Sequence, residues 1–170
     1  MKPDRFKSDL LNKSDEELSL SGSVLSELLR AVLEKGVPFR FRAKGFSMSP
    51  FIKDGDVVTV SPLFDTKPHL GDVLAFIHPG AKKLFVHRMI GKEGNSCMIR
   101  GDNTLEMDGL VALANILGRV TRVERNGKRI LLGLGPERWL IAFLTRRKLL
   151  FPLMVPIWRL VPPLIKSWVR

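Results

Sequence analysis

Phe39-Arg40-Phe41-Arg42-Ala43-Lys44-Gly45-Phe46-Ser47-Met48-Ser49-Pro50 decides the fold class: apolar and basic residues alternate with a period of two before the chain breaks at a glycine and a proline. Period-two alternation marks a strand with one covered face, and Gly45 to Pro50 reads as the turn that ends it. The turn presents Ser47 just past the strand end, a place for a nucleophile. Outward from here strand signals recur at Val57 to Val60, Val73 to Ile77, Leu84 to Ile90, Ser96 to Arg100, Leu117 to Glu124 and Arg129 to Leu134. Turn chemistry separates them, notably Asp54-Gly55, His78-Pro79-Gly80 and a tight hairpin through Asn126-Gly127. Short strands joined this way predict a mainly β protein, either antiparallel sheets or a partly closed barrel.

Before the strands, Ser14 and Glu17 have capping-box spacing, and Leu25, Leu28, Leu29, Val32 and Leu33 recur at helical spacing up to Gly36. The expected organisation is a polar leader and amphipathic helix over 1–36, a β-rich domain over 37–135 and a tail over 136–170. At 170 residues with 45% hydrophobic content the chain suits one domain with appendages. The single Cys97 forms no internal disulfide and reads as a small buried apolar residue.

The net charge of +11 is uneven. Residues 1–118 carry 16 Lys+Arg and 15 Asp+Glu, whereas residues 119–170 carry 12 and 2. That basic tail is apolar, with Trp139, Trp158 and Trp168 among leucines, Arg146-Arg147-Lys148 and several prolines. Basic clusters beside tryptophans predict an anionic membrane surface as partner, and nucleic acid is not expected. The prolines and Arg159 make the tail interfacial or re-entrant, with packing against the protein's own core as the competing account. Residues 1–17 are too polar for a signal peptide, so the expected location is the cytoplasmic face of an inner membrane.

A hydroxyl, an imidazole and carboxylates occur in the order Ser47, His87, Asp102, Asp108. Serine becomes nucleophilic when a base takes its proton, and imidazole does so at neutral pH. A carboxylate on the far ring nitrogen fixes the tautomer. Taken singly, Ser47 also suits a surface turn, His87 a core position beside Phe85 and Met89, and Asp102 a turn former. His69 and His78, next to prolines, read as turn residues. Neither they nor Cys97 show metal-ligand spacing, and no cofactor is expected.

Ser47-Met48-Ser49-Pro50 with Gly55-Asp56, Gly71-Asp72-Val73-Leu74-Ala75-Phe76, Phe85-Val86-His87-Arg88-Met89-Ile90, and Arg100-Gly101-Asp102-Asn103 with Asp108 resemble, in that order, the motifs of the type I signal peptidase family among S24/S26-like serine peptidases. Histidine rather than lysine at position 87 is similar to the endoplasmic-reticulum and archaeal branch. The resemblance spans residues 39 to 120 and implies a serine endopeptidase that cuts a leader or signal peptide. It implies Ser47 as nucleophile, His87 as base, Asp108 as orienting carboxylate and Asp102 in support. Substrate is then expected as an extended segment near Phe41, Gly45, Met48 and Pro50. Gly45 departs from the pattern, since many bacterial relatives place a second oxyanion hydroxyl there. A non-catalytic peptide- or membrane-binding protein on the same fold is the second reading, and a self-cleaving repressor of SOS type the third.

Overall fold

The computed structural model describes residues 22–64, 66–150 and 152; the expected cap at Ser14 and most of the apolar tail lie outside them. Helix α1, Gly22–Glu34, is followed by eight strands: β1 Phe39–Arg42, β2 Val57–Ser61, β3 Val73–Ile77, β4 Leu84–Glu93, β5 Ser96–Arg100, β6 Gly109–Ala112, β7 Ile116–Arg125 and β8 Lys128–Ile130. Helix α2, Arg138–Arg146, follows. All pairings are antiparallel, in the order β1-β2-β7-β3-β4-β5-β6 with β8 on β7. The sheet is open, with β1 and β6 at its two ends, so the partly closed barrel gives way to the other expected form, antiparallel sheet.

Each face of the sheet builds its own core. Val73 and Ala75 of β3 pack with Leu29 and Leu33 of α1, Val58 and Val60 of β2, and Met48 and Ile52 of the turn. Leu74 and Phe76, one residue out of phase, pack with Met89, Cys97, Ile99 and Val111. Because successive side chains of a strand point to opposite faces, β3 is buried almost throughout and reads as a continuous apolar run. Leu29 is fully buried, and burying such a side chain contributes about 2 kcal/mol. Leu28, expected on the same stripe, is 41% exposed, since the stripe facing the sheet is narrower than the sequence periodicity.

The Asn126-Gly127 hairpin forms as expected, with both residues at positive φ, 51° and 74°, joining β7 to β8. Strand β6 carries no period-two signal and was not expected; it is held by pairing of Leu110 with Met98 and Val111 with Cys97. Cys97 is buried in the second core, and that burial pushes its thiol up, against the opposing pull of Lys92.

The start of the apolar tail is part of the folded body. In α2, Ile141, Ala142 and Thr145 are buried, and Ile141 clusters with Phe51 and Leu150. Trp139, Leu140 and Phe143 stay exposed, at 60%, 61% and 52%. No helix among the described residues is long and apolar enough to cross a membrane.

Candidate active site

Three segments distant in sequence meet at one spot. Ser47 opens the turn after β1, His87 lies within β4, and Asp108 ends the loop between β5 and β6. The Ser47 Oγ lies 2.8 Å from His87 Nε2, and His87 Nδ1 lies 2.6 Å from Asp108 Oδ2. A carboxylate only accepts, so Nδ1 carries the proton and Nε2 of the neutral ring is bare toward the serine hydroxyl. That is the tautomer in which imidazole takes a proton from serine.

Strand alternation aims the imidazole. Phe85, His87 and Met89 share a face of β4, and the His87 ring meets the edge of Phe85 at 5.4 Å and approaches Phe76 at 6.2 Å. The side chain is 4% exposed, so the ring is held by packing as well as by its two polar partners. Asp108 is 11% exposed and its own N–H donates to the Ile99 carbonyl, which fixes the carboxylate to the end of β5.

Asp102 does something else. Its carboxylate does not reach His87; it is buried on Arg88, accepting Nε at 2.8 Å and Nη2 at 2.7 Å, and it accepts the Thr145 hydroxyl at 3.1 Å. Arg88 also donates to the carbonyls of Gly71 and Gly133, at 2.9 and 2.8 Å. The carboxylate on the His87 ring is therefore Asp108, whereas Asp102, expected in a supporting role beside His87, is bound to Arg88 instead. Being next to His87 on a strand, Arg88 points to the opposite face, where the counter-charge is needed.

Through its neighbours Asp102 still bears on the serine. The Asn103 N–H donates to the Ser47 carbonyl at 2.7 Å, and Asn103 Nδ2 donates to the Phe46 carbonyl at 3.2 Å. Gly101 lies so close that a Cβ there would stand 2.7 Å from the Ser47 carbonyl oxygen. The turn that holds Ser47 is thus clamped by residues 101–103, which Arg88 anchors. Sequence reasoning missed Arg88, Asn103 and the clamp because a strand arginine and a loop asparagine ordinarily face water.

Beside the serine runs a groove of about 400 Å³ between Phe41–Gly45 on one side and Lys83–His87 on the other. Ser47, Met48 and Ile52 also line it. Among the described residues β1 pairs only with β2, and β4 pairs with β5 only from Arg88 onward, so both walls present strand edges. Of the four residues expected near substrate, Phe41, Gly45 and Met48 line this groove. Pro50 does not; it follows a cis peptide bond with Ser49 in the turn beyond the groove.

The Gly45 N–H donates to Asp54 Oδ1 at 2.7 Å, so it is already engaged. The Ser47 N–H has no acceptor among the described residues and is the main-chain donor next to the hydroxyl. A second donor for an oxyanion is not supplied by Gly45, whose side chain has no hydroxyl.

Residues 10–121, over half of the chain, match the family model described as Peptidase S24-like, a span that contains Ser47, His87, Asp102 and Asp108. No curated protein matches the chain.

Proposed function

The chain belongs to the peptidase S24-like family, and from that premise we propose that it is a serine endopeptidase of signal-peptidase type, cutting a leader or signal peptide presented as an extended strand. The observation that carries this reading is the unbroken line Ser47 Oγ, His87, Asp108, at 2.8 and 2.6 Å, opening onto a groove with two strand edges. A peptide laid along Phe41–Gly45 or Lys83–His87 gains main-chain hydrogen bonds whatever its sequence, and the groove's apolar wall selects side chains.

In the proposed reaction His87 Nε2 takes the Ser47 proton as Oγ bonds to the carbonyl carbon of the peptide. The negative charge moves to the carbonyl oxygen, beside the Ser47 N–H. Asp108 holds the imidazolium that forms. His87 then gives its proton to the departing amine as the C–N bond breaks, leaving an acyl-serine that water hydrolyses by the same path reversed. The histidine at position 87 separates this reading from self-cleaving repressors, which the resemblance associates with lysine there.

The test is phosphonylation of Ser47 by a fluorophosphonate probe, in which an O–P bond forms and fluoride leaves, followed by intact mass. Wild type is expected to gain one adduct, and Ser47→Ala and His87→Ala each to lose it by about a thousandfold or more in rate, without additivity in the double variant. Equal labelling of wild type and Ser47→Ala refutes the proposal. Scission of the unlabelled wild-type chain that Ser47→Ala lacks would redirect it to self-cleavage.

The same proposal places the protein on an anionic membrane surface. Its support is the outer face of α2, where exposed Trp139, Leu140 and Phe143 run into exposed Arg146, Arg147 and Lys148. Trp139→Ser with Phe143→Ser is expected to reduce co-sedimentation with anionic liposomes while circular dichroism stays unchanged. Undiminished binding would remove α2 from the interface.

A further inference from the structure

We propose that His78 is a positioning residue for Asp108, holding the carboxylate from the side that His87 leaves open; this rests on Ser47, His87 and Asp108 being the catalytic groups. His78 begins the connection between β3 and β4, where its N–H donates to the Lys83 carbonyl and its carbonyl accepts the Lys82 N–H, both at 2.9 Å. Its Nδ1 accepts the N–H groups of Gly80 and Ala81, at 3.1 and 3.0 Å. A ring nitrogen that accepts bears the lone pair, so in the neutral ring the proton sits on Nε2. That Nε2 faces Asp108 Oδ1 at 3.8 Å, while His87 occupies Oδ2. One carboxylate therefore stands between two imidazoles.

The separation is longer than a hydrogen bond, and a shift of under about an ångström closes it. Its value lies in the torsion that orients the carboxylate. Rotation about the terminal bond of an aspartate is soft, and the partner on Oδ2 restrains it through one hydrogen bond alone. A donor aimed at Oδ1 defines the plane of the carboxylate, and with it the direction of the His87 ring. The His78 ring is itself held: it packs on Phe85 at 4.9 Å and lies 6.4 Å from Phe76, the two phenyl rings that also flank His87. The turn fixes one edge of His78, the phenyl rings fix its face, and the remaining nitrogen points at the carboxylate.

Two substitutions separate this role from turn formation. His78→Asn places a carboxamide oxygen where Nδ1 accepts Gly80 and Ala81, and removes the Nε2 donor. His78→Gln does the reverse, reaching toward Asp108 and giving up the turn acceptor. The measurement is the saturation kinetics of Ser47 phosphonylation by a fluorophosphonate, with the low-field proton resonance of His87 Nδ1–H as a signature independent of turnover. His78→Asn is expected to lower the maximal phosphonylation rate about tenfold at unchanged half-saturation and to shift or broaden that resonance. His78→Gln is expected to stay within about threefold, and His78→Asn to have no further effect on Asp108→Ala. The proposal is overturned if His78→Asn is phosphonylated like wild type with an unmoved resonance, if His78→Gln is impaired as much as His78→Asn, or if the effect persists without Asp108. A wild type labelled only at Ser47 but indifferent to His78→Asn sinks this inference alone. Labelling that ignores Ser47 sinks the catalytic reading with it.

Discussion

Removing Asp102 is expected to damage the fold far more than its distance from His87 suggests. Arg88 is fully buried and, among the described residues, its guanidinium has one ion-pair partner, the Asp102 carboxylate; around it besides are the neutral carbonyls of Gly71 and Gly133, the face of Phe51, 5.5 Å away, and the Glu137 carboxylate at longer range. Asp102→Ala leaves a cation in a dry interior, which costs about 3–5 kcal/mol. Against a total of about 5–15 kcal/mol for a domain this is about a fifth of its stability or more. Arg88→Met leaves the carboxylate with the Thr145 hydroxyl and orphans two carbonyls, each costing about 1–3 kcal/mol. In the double variant both charges are gone, so its loss is expected to fall short of the sum of the single losses by about 3 kcal/mol. Urea unfolding followed by circular dichroism on the four proteins closes the cycle. Additivity within about 0.5 kcal/mol, or a loss below about 1 kcal/mol for Asp102→Ala, would refute the assignment of Asp102 to the scaffold. Asp108→Asn should show the opposite balance, slow phosphonylation of Ser47 with little change in unfolding.

Two further expectations follow from other contacts. Gly101→Ala drives a Cβ against the Ser47 carbonyl oxygen and the Thr104 side chain, at 2.7 and 2.8 Å, so phosphonylation is expected to slow by about a hundredfold; an unchanged phosphonylation rate would show that the clamp does not set the serine's place. Burial pushes the Glu137 carboxyl up, but the N–H groups of Gly133, of Glu137 itself and of Gly135, with Arg88 nearby, outweigh it and hold the group below its ordinary 4.5. A carboxyl lowered in the folded state adds stability that is full above its unfolded value and fades as pH falls through the folded one. The stability gap between wild type and Glu137→Gln should therefore be present at pH 6 and shrink below about pH 4.5; a gap that widens on acidification would contradict this.

Much of the sheet was legible because β2, β3, β4, β5 and β7 carry their own apolar periodicity and the Asn126-Gly127 turn needs two residues at positive φ. Strand β6 was not, since Gly109–Ala112 exposes most of its residues and exists through pairing with β5. The face shared by Phe85, His87 and Met89 follows from period two alone. The choice between Asp102 and Asp108 does not, because it depends on how the loop after β5 folds, and Arg88 decides that from the other side of the sheet. Likewise composition marks residues 139–150 as apolar and basic without saying what covers them. Helical phase divides them, turning Ile141, Ala142 and Thr145 to protein and Trp139, Leu140 and Phe143 outward.

The adjacency of His87 and Arg88 has a consequence for mispaired chains. Because they face opposite sides of one strand, a slip of β4 by a single residue would exchange them, setting a guanidinium beside Phe76, an imidazole against Asp102, and Phe85 and Met89 outside the core they share with Phe76. The slip would part the guanidinium from Asp102 and strip β4 of its apolar partners at once, so the slipped pairing is selected against by the residue next to His87. The strand that carries His87 thereby proofreads its own alignment, and the pairing that seats Arg88 on Asp102 is the one that turns the imidazole to Ser47.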